Sequence, residues 1–233
     1  MNWSYGILTV PQRLADGLLQ RTIISLVGAG FAQPRLFVDG CADASAYGRF
    51  GLPLTLRDPA MRVVGNWILS LWELLVRTPE ADRYAVFQDD FVTYKNLRQY
   101  LEQTEYPKQG YLNLNTFPQN QEVCPQGHTG WYLSNQRGLS AVALVFDREA
   151  VTTLLSQAHL IRKVQDPKRG CRSVDGAIVT ALKQASWKEY VHNPSLVQHT
   201  GDVSAVSNKK HPQAPSFRGE DFDVLSLLKQ ETG

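Results

Sequence analysis

Apolar and polar positions fall into alternating blocks along the first ninety residues. Residues 4–10, SYGILTV, form a short β-type run that Pro11 ends. The stretch QRLADGLLQRTIISLVGAGF follows, with Leu14, Leu18, Leu19, Ile23 and Leu26 at helical spacing, and Gly28 and Gly30 stop that helix. A second strand is expected at 34–40, PRLFVDG, closed by Asp39-Gly40, and a loop rich in Gly, Ala and Asp comes after it. Residues 60–78 read as a strong helix stopped by Pro79, and YAVFQ (84–88) as a third strand. Strand, helix, strand, helix, strand implies a parallel α/β sheet with right-handed crossovers.

The second half is patterned differently. Residues 110–117 predict a strand, and 118–138 a long polar, glycine-containing stretch. A buried strand is expected at 139–147, with the helix REAVTTLLSQA behind it. Residues 161–172 read as a basic loop, 173–185 as a helix capped by Ser173 and Asp175, and 188–201 as a strand and a loop. From Asp202 the chain is polar, with a short helix expected at 222–230 and partial disorder up to Gly219. Nothing reads as a linker between two cores, so one domain is expected over 1–208, with a polar tail at 209–233.

Composition narrows the class only slightly. The chain has 233 residues and is 43% apolar, enough for a sizeable core. A net charge of +2 does not announce nucleic acid. The three cysteines, Cys41, Cys124 and Cys171, have no zinc spacing and form no disulfide framework. The N-terminus lacks a signal-peptide pattern, and no run of about 18 apolar residues exists to cross a membrane. A cytoplasmic protein is the resulting expectation.

Chemistry enters at YAVFQDDF, 84–91, where an apolar strand ends in two adjacent carboxylates. Neighbouring like charges repel and are costly to desolvate, so a positive partner is expected. Carboxylate oxygens are the hard ligands that Mg²⁺ and Mn²⁺ favour, although an Asp-rich turn or cap gives the same letters. In open α/β sheets ligands bind beyond the carboxyl ends of strands. There the chain places Thr9, Pro11 and Arg13, then Asp39, then Gln88, Asp89 and Asp90. A nucleotide diphosphate with a divalent metal suits that edge. No G-x-G-x-x-G links strand to helix, and no Walker P-loop is present.

With these pieces in view the chain resembles nucleotide-sugar glycosyltransferases of the GT-A fold. The matching pieces are LTVPQR, RLFVDG, GNWILSLWELL, AVFQDD, GLSAVALVFDREAV, SVDGAIVTALKQ and NPSLVQHTG, in the family's order. The resemblance implies a single Rossmann-like α/β domain with a central, mostly parallel sheet flanked by helices. QDD stands at the family's DxD motif, with Gln88 a departure at its first position. The resemblance makes Asp90 the metal ligand and Asp89 a donor-sugar or ribose contact. It places Thr9, Pro11, Arg13, Asp39 and Asn66 at the nucleotide, and His199 as a second metal ligand, with His192 its rival. It casts Asp175 as the base that deprotonates the acceptor in an inverting reaction, with retention open. Plainer roles stay open for each: a surface arginine at 13, a satisfied buried amide at 66, an acid complementing the helix dipole at 175.

The acceptor is read from charge. Residues 161–172 carry Arg162, Lys163, Lys168, Arg169 and Arg172 against Asp166, +4 in twelve residues, leading into Asp175. Such a run attracts phosphates, or is a solvated loop. Trp131 offers a face for a sugar or base, or anchors its loop. The wording TVPQR, LFVDG, VFQDD and SVDGAIVTAL is also similar to phage-type transferases that glycosylate hydroxymethylated pyrimidines in DNA. That resemblance implies 5-hydroxymethylcytosine in DNA as acceptor, a UDP-sugar as donor and Mn²⁺ or Mg²⁺ as cofactor. A surface glycan or a protein is the alternative acceptor, and a non-catalytic nucleotide-sugar or DNA-binding relative the alternative class.

Overall fold

The computed structural model describes residues 1–165, 174–201 and 212–228. An eight-stranded sheet runs through it in the order β3-β2-β1-β4-β8-β6-β9-β7. The strands are β1 (Trp3–Thr9), β2 (Arg35–Asp39), β3 (Leu54–Arg57), β4 (Arg83–Gln88), β6 (Gly110–Asn113), β7 (Gly130–Leu133), β8 (Ala143–Phe146) and β9 (Lys188–Asn193). β3, β2, β1 and β4 are mutually parallel, β8 enters antiparallel to β4 and β6, and β6 and β9 are parallel again. β5 (Phe91–Thr93) and β10 (Val197–His199) form a separate antiparallel pair. This is a single α/β domain with a mostly parallel central sheet flanked by helices.

Strand periodicity divides the core in two. Ile7, Leu36, Phe87 and Val145 face one side of the sheet, while their neighbours Leu8, Phe37, Val86 and Leu144 face the other. Helices α1 (Leu18–Gly28) and α3 (Leu97–Gln103) cover the first face through Leu19, Ile23, Leu26, Leu97 and Tyr100. Helices α2 (Arg62–Arg77), α5 (Arg148–Leu155) and α7 (Val174–Gln184) cover the second through Trp67, Leu71, Val151, Leu154, Ile178 and Leu182. The one-turn α4 (Pro118–Gln121) and the longer α6 (Ala158–Gln165) are the other α-helices among the described residues.

Several expectations are corrected. The first helix is not continuous: a 3₁₀ turn at Pro11–Leu14 is followed by left-handed Gly17 (φ 74°), and only then does α1 begin. The loop after β2 contains β3, whose hydrogen-bonded backbone no alternating pattern announced. The polar stretch 118–138 contains β7, paired antiparallel with β9. The basic loop begins as helix α6, and its remainder, 166–172, lies outside the described residues.

Residues 212–228 belong to the body of the protein. Phe217 stacks on Tyr94 with centroids 4.7 Å apart, and a 3₁₀ turn at Val224–Leu227 buries both of its end residues against α3. Ala214 is buried too, so the disorder expected up to Gly219 does not hold for 212–219, where a few apolar side chains anchor a polar sequence. Among the described residues no helix is long and apolar enough to cross a membrane.

Candidate active site

The parallel register brings the C-terminal ends of β1, β2 and β4 to one edge. Leu8 lies opposite Gln88 and Thr9 opposite Val38, so Thr9, Asp39 and Asp89 leave the sheet together. The β5–β10 pair supplies the rest. His199 registers with Phe91, and the Thr200 N–H donates to the Asp90 carbonyl at 2.8 Å. The pairing thus carries a histidine back across more than one hundred residues to the carboxylate pair. Thr22 Oγ1 on α1 donates to the Phe91 carbonyl at 2.8 Å and holds the same turn from the other side.

Around that turn one guanidinium faces three carboxylates. Arg13, directed by the 3₁₀ turn that Pro11 opens, is 5% exposed. Its Nη2 lies 2.8 Å from Asp90 Oδ2, its Nη1 2.9 Å from Asp16 Oδ2 and its Nε 3.4 Å from Asp89 Oδ1. Negative charge is in excess, and the better contact goes to Asp90. Burial, and then the neighbouring Asp90 charge, push the Asp89 carboxyl well above the usual carboxylate range, opposed by the Thr9 hydroxyl and Arg13.

His199 Nε2 stands 3.4 Å from Asp90 Oδ1. That oxygen and Asp89 Oδ2 are buried and accept no hydrogen bond among the described residues. A Cβ built on Gly201 would come within 3.1 Å of Asp90 Oδ2 and 3.2 Å of His199 Cε1, so only glycine leaves this pair undisturbed. No group of three or more His, Cys, Asp and Glu side chains is gathered as a metal cluster among the described residues. An oxygen and an imidazole nitrogen at this spacing do suit two positions of a small divalent ion, with phosphate and water oxygens as the remaining ligands. The residues present fit such an ion.

The other expected nucleotide contacts have protein partners. Asp39 accepts from the N–H groups of Met61 (2.7 Å) and Arg62 (2.8 Å), fixing the start of α2. Asn66 accepts from Arg57 Nε at 2.8 Å and donates to the Phe37 carbonyl at 3.3 Å. Arg57 lies opposite Asp39 in the β2–β3 register, a cation at this edge that the sequence reading missed because β3 was missed. Tyr47 was missed as well. It is buried in the loop after β2, close enough to feel the Asp89 charge, and burial pushes its hydroxyl up to about 12.

Asp175 occupies the first turn of α7. Its Oδ2 accepts from the Ser140 N–H at 3.1 Å and its Oδ1 from the Gly176 N–H at 2.9 Å. Two residues after Ser140, the Val142 carbonyl accepts from the Gln88 N–H at 2.8 Å. The expected base and the carboxylate pair are therefore tied to opposite ends of one three-residue segment. Beneath it lies a network absent from the sequence reading. Buried Glu189 accepts from Ser134 Oγ (2.6 Å), Asn113 Nδ2 (3.1 Å) and Tyr111 Oη (3.3 Å). Asn113 Nδ2 also donates to the carbonyls of Leu139 and Ser140. The available signal was an acid at a position of WKEYVHN that alternates inward with Val191.

The remaining expected residues lie elsewhere. Trp131 is on β7, four places from β4 in the sheet, with its ring against His192 at 4.9 Å. His192 is fully buried, its Nδ1 2.7 Å from the Pro194 carbonyl and its Nε2 2.6 Å from Tyr100 Oη, so both nitrogens are committed away from the carboxylates. Arg162 is exposed on α6, the side chain of Lys163 is not described, and Lys168, Arg169 and Arg172 lie outside the described residues.

No family model matches the chain, and no curated protein does. Solved structures do. GalNAc-T7, in a crystal structure with UDP, GalNAc and Mn²⁺, superposes with a TM-score of 0.58 at 9% identity, covering 86% of this chain and 44% of that one. A mannose-1-phosphate geranyltransferase from Thermus thermophilus superposes at 0.48 and 15% identity, covering 82% of this chain and 74% of that one. A putative glucose-1-phosphate thymidylyltransferase from Bacillus anthracis gives 0.46 at 13% identity, covering 84% and 89%. At 9% identity the likeness to GalNAc-T7 is one of fold, and that fold is GT-A-like.

Proposed function

We propose that the protein is a metal-dependent transferase that moves a hexose from a nucleotide-diphosphate sugar, UDP-hexose by expectation, to a hydroxyl acceptor. The single observation that carries the reading is the Asp89–Asp90 pair at the carboxyl edge of a parallel sheet, with His199 Nε2 3.4 Å from Asp90 Oδ1. Asp90 and His199 would hold Mn²⁺ or Mg²⁺, which supplies charge stabilisation for the departing diphosphate. The fold of GalNAc-T7, solved with UDP, GalNAc and Mn²⁺, supports the reading at the level of architecture.

The chain's own residues divide the remaining work. Thr9, Pro11 and Asp39 border the nucleotide, Asn66 with Arg57 stiffens the start of α2, and Asp89 meets the ribose or sugar. Asp175 receives the acceptor proton as the acceptor oxygen bonds to the anomeric carbon and the bond to the diphosphate oxygen breaks. Its two backbone donors fix the plane of its carboxylate at a helix start, a rigid mount for a base. Attack opposite the leaving group makes the reaction inverting.

The acceptor we propose is 5-hydroxymethylcytosine in DNA, drawn by the basic run that precedes α7. The test incubates the protein, Mn²⁺ or Mg²⁺ and a panel of UDP-hexoses with hydroxymethylated and unmodified DNA, followed by mass spectrometry of the nucleosides. A hexose-sized gain on the hydroxymethylated base alone, abolished in Asp90→Ala and Asp175→Asn, is expected. No gain with any donor, in protein that still binds UDP, overturns the DNA acceptor and leaves glycan or protein hydroxyls.

A further inference from the structure

Arg13 spends each end of its guanidinium on a different carboxylate, at 2.8 Å to Asp90, 2.9 Å to Asp16 and 3.4 Å to Asp89. Its side chain is almost fully buried and turned inward from the 3₁₀ turn after β1. A phosphate seeking this arginine would compete with three anions already in place. The geometry instead makes Arg13 the resident counter-cation of the carboxylate pair. Asp90 is shared: Oδ2 belongs to Arg13, while Oδ1 faces His199 and accepts no hydrogen bond among the described residues.

We propose that Arg13 is a built-in competitor for the divalent cation, which orients Asp90 while holding down the site's affinity for the free ion. The inference rests on the metal-dependent reading above and deepens it. A fixed positive charge bonded to the same carboxylate repels an incoming divalent ion, and in a buried site that repulsion is poorly screened. A nucleotide diphosphate brings negative charge that offsets the arginine. The ion therefore enters with the nucleotide rather than ahead of it, and the free protein does not scavenge metal.

The test measures Mn²⁺ binding by electron paramagnetic resonance, with and without UDP, in the wild type and in Arg13→Gln and Arg13→Lys. The wild type should bind Mn²⁺ weakly alone and at least about tenfold more tightly with UDP. Arg13→Gln should bind Mn²⁺ alone at least about tenfold more tightly than the wild type, and Arg13→Lys, which keeps the charge without the three-way fork, should fall between them. If Arg13→Gln does not fold alone, millimolar Mn²⁺ should restore its far-ultraviolet circular dichroism. Wild-type binding with UDP combined with unchanged or weaker Mn²⁺ binding in Arg13→Gln, or no rescue of an unfolded variant, overturns this inference alone. No Mn²⁺ binding by any of the proteins, with or without UDP, overturns the metal-dependent reading along with it.

Discussion

At the scale of single residues, the two candidate histidines have opposite fates. His199 stands beside a carboxylate, whereas His192 is sealed between Tyr100 Oη and the Pro194 carbonyl, and burial lowers it from the ordinary 6.5 to about 4. In that window the unfolded chain binds a proton that the folded chain refuses. Stability from His192 is therefore full above pH 6.5 and is lost as the pH falls toward 4, by roughly 3 kcal/mol in all. Thermal melts of wild type and His192→Gln should differ most near pH 7 and converge near pH 4; a constant difference would contradict this. Gly201→Ala should weaken Mn²⁺ binding in the presence of UDP about tenfold, because a methyl would stand 3.1 Å from Asp90 Oδ2. Calorimetry showing unchanged affinity would remove the glycine from the site. The carboxylate pair was legible from sequence because two adjacent acids ending an apolar strand call for a positive partner, which the structure supplies as Arg13. The hydrogen bonds of Asp39 and Asn66 were not, since they run to the N–H groups of Met61 and Arg62, to the Phe37 carbonyl and to Arg57 on β3, none of which a local pattern identifies.

At the scale of elements, the segment between β7 and β8 is irregular yet firmly held. Gln136, Gly138 and Ser140 all have positive φ, and Glu189 with Asn113 holds the segment in place. A Cβ at Gly138 would fall 2.6 Å from the Asp175 carbonyl and 2.5 Å from Val179 Cγ1, at φ +66°. Gly138→Ala should therefore cost about 2 kcal/mol or more, lowering Tm by roughly 4–8 °C, and should cut turnover by displacing the first turn of α7. An unchanged Tm would contradict the contact. Helices α1, α2, α5 and α7 and the central strands could be read from period 3.6 and from apolar runs, whereas α3, α4 and α6 were not. β3 and β7 could not: β3 is half-exposed along its length, and β7 sits in a polar, glycine-bearing stretch whose pairing depends on distant β9. Tertiary pairing there outweighs local preference.

At the scale of the whole molecule, order in the chain is distributed differently from polarity. The segment 212–228 opens with a polar run, yet Phe217, Val224 and Leu227 close the first core over Tyr94 and α3. Deleting the chain from residue 212 should destabilise the protein by at least about 3 kcal/mol, read as a lower urea midpoint. A midpoint equal to that of the full chain would show that the tail only rests on the surface. The same global view explains the site. Three parallel strands deliver Thr9, Asp39 and Asp89 to one edge, and the separate β5–β10 pair returns His199 to it. The alternation of elements predicted the first part, while the return of His199 depends on a pairing of three-residue strands that no local signal marks.

On the function proposed above, this edge binds a nucleotide diphosphate together with a divalent cation through Asp90. Titrating UDP into the protein by calorimetry, with and without Mn²⁺, tests it most directly. Binding should strengthen at least about tenfold with Mn²⁺ and lose that gain in Asp90→Ala. UDP binding indifferent to Mn²⁺, or a Mn²⁺-dependent gain that survives Asp90→Ala, would contradict it.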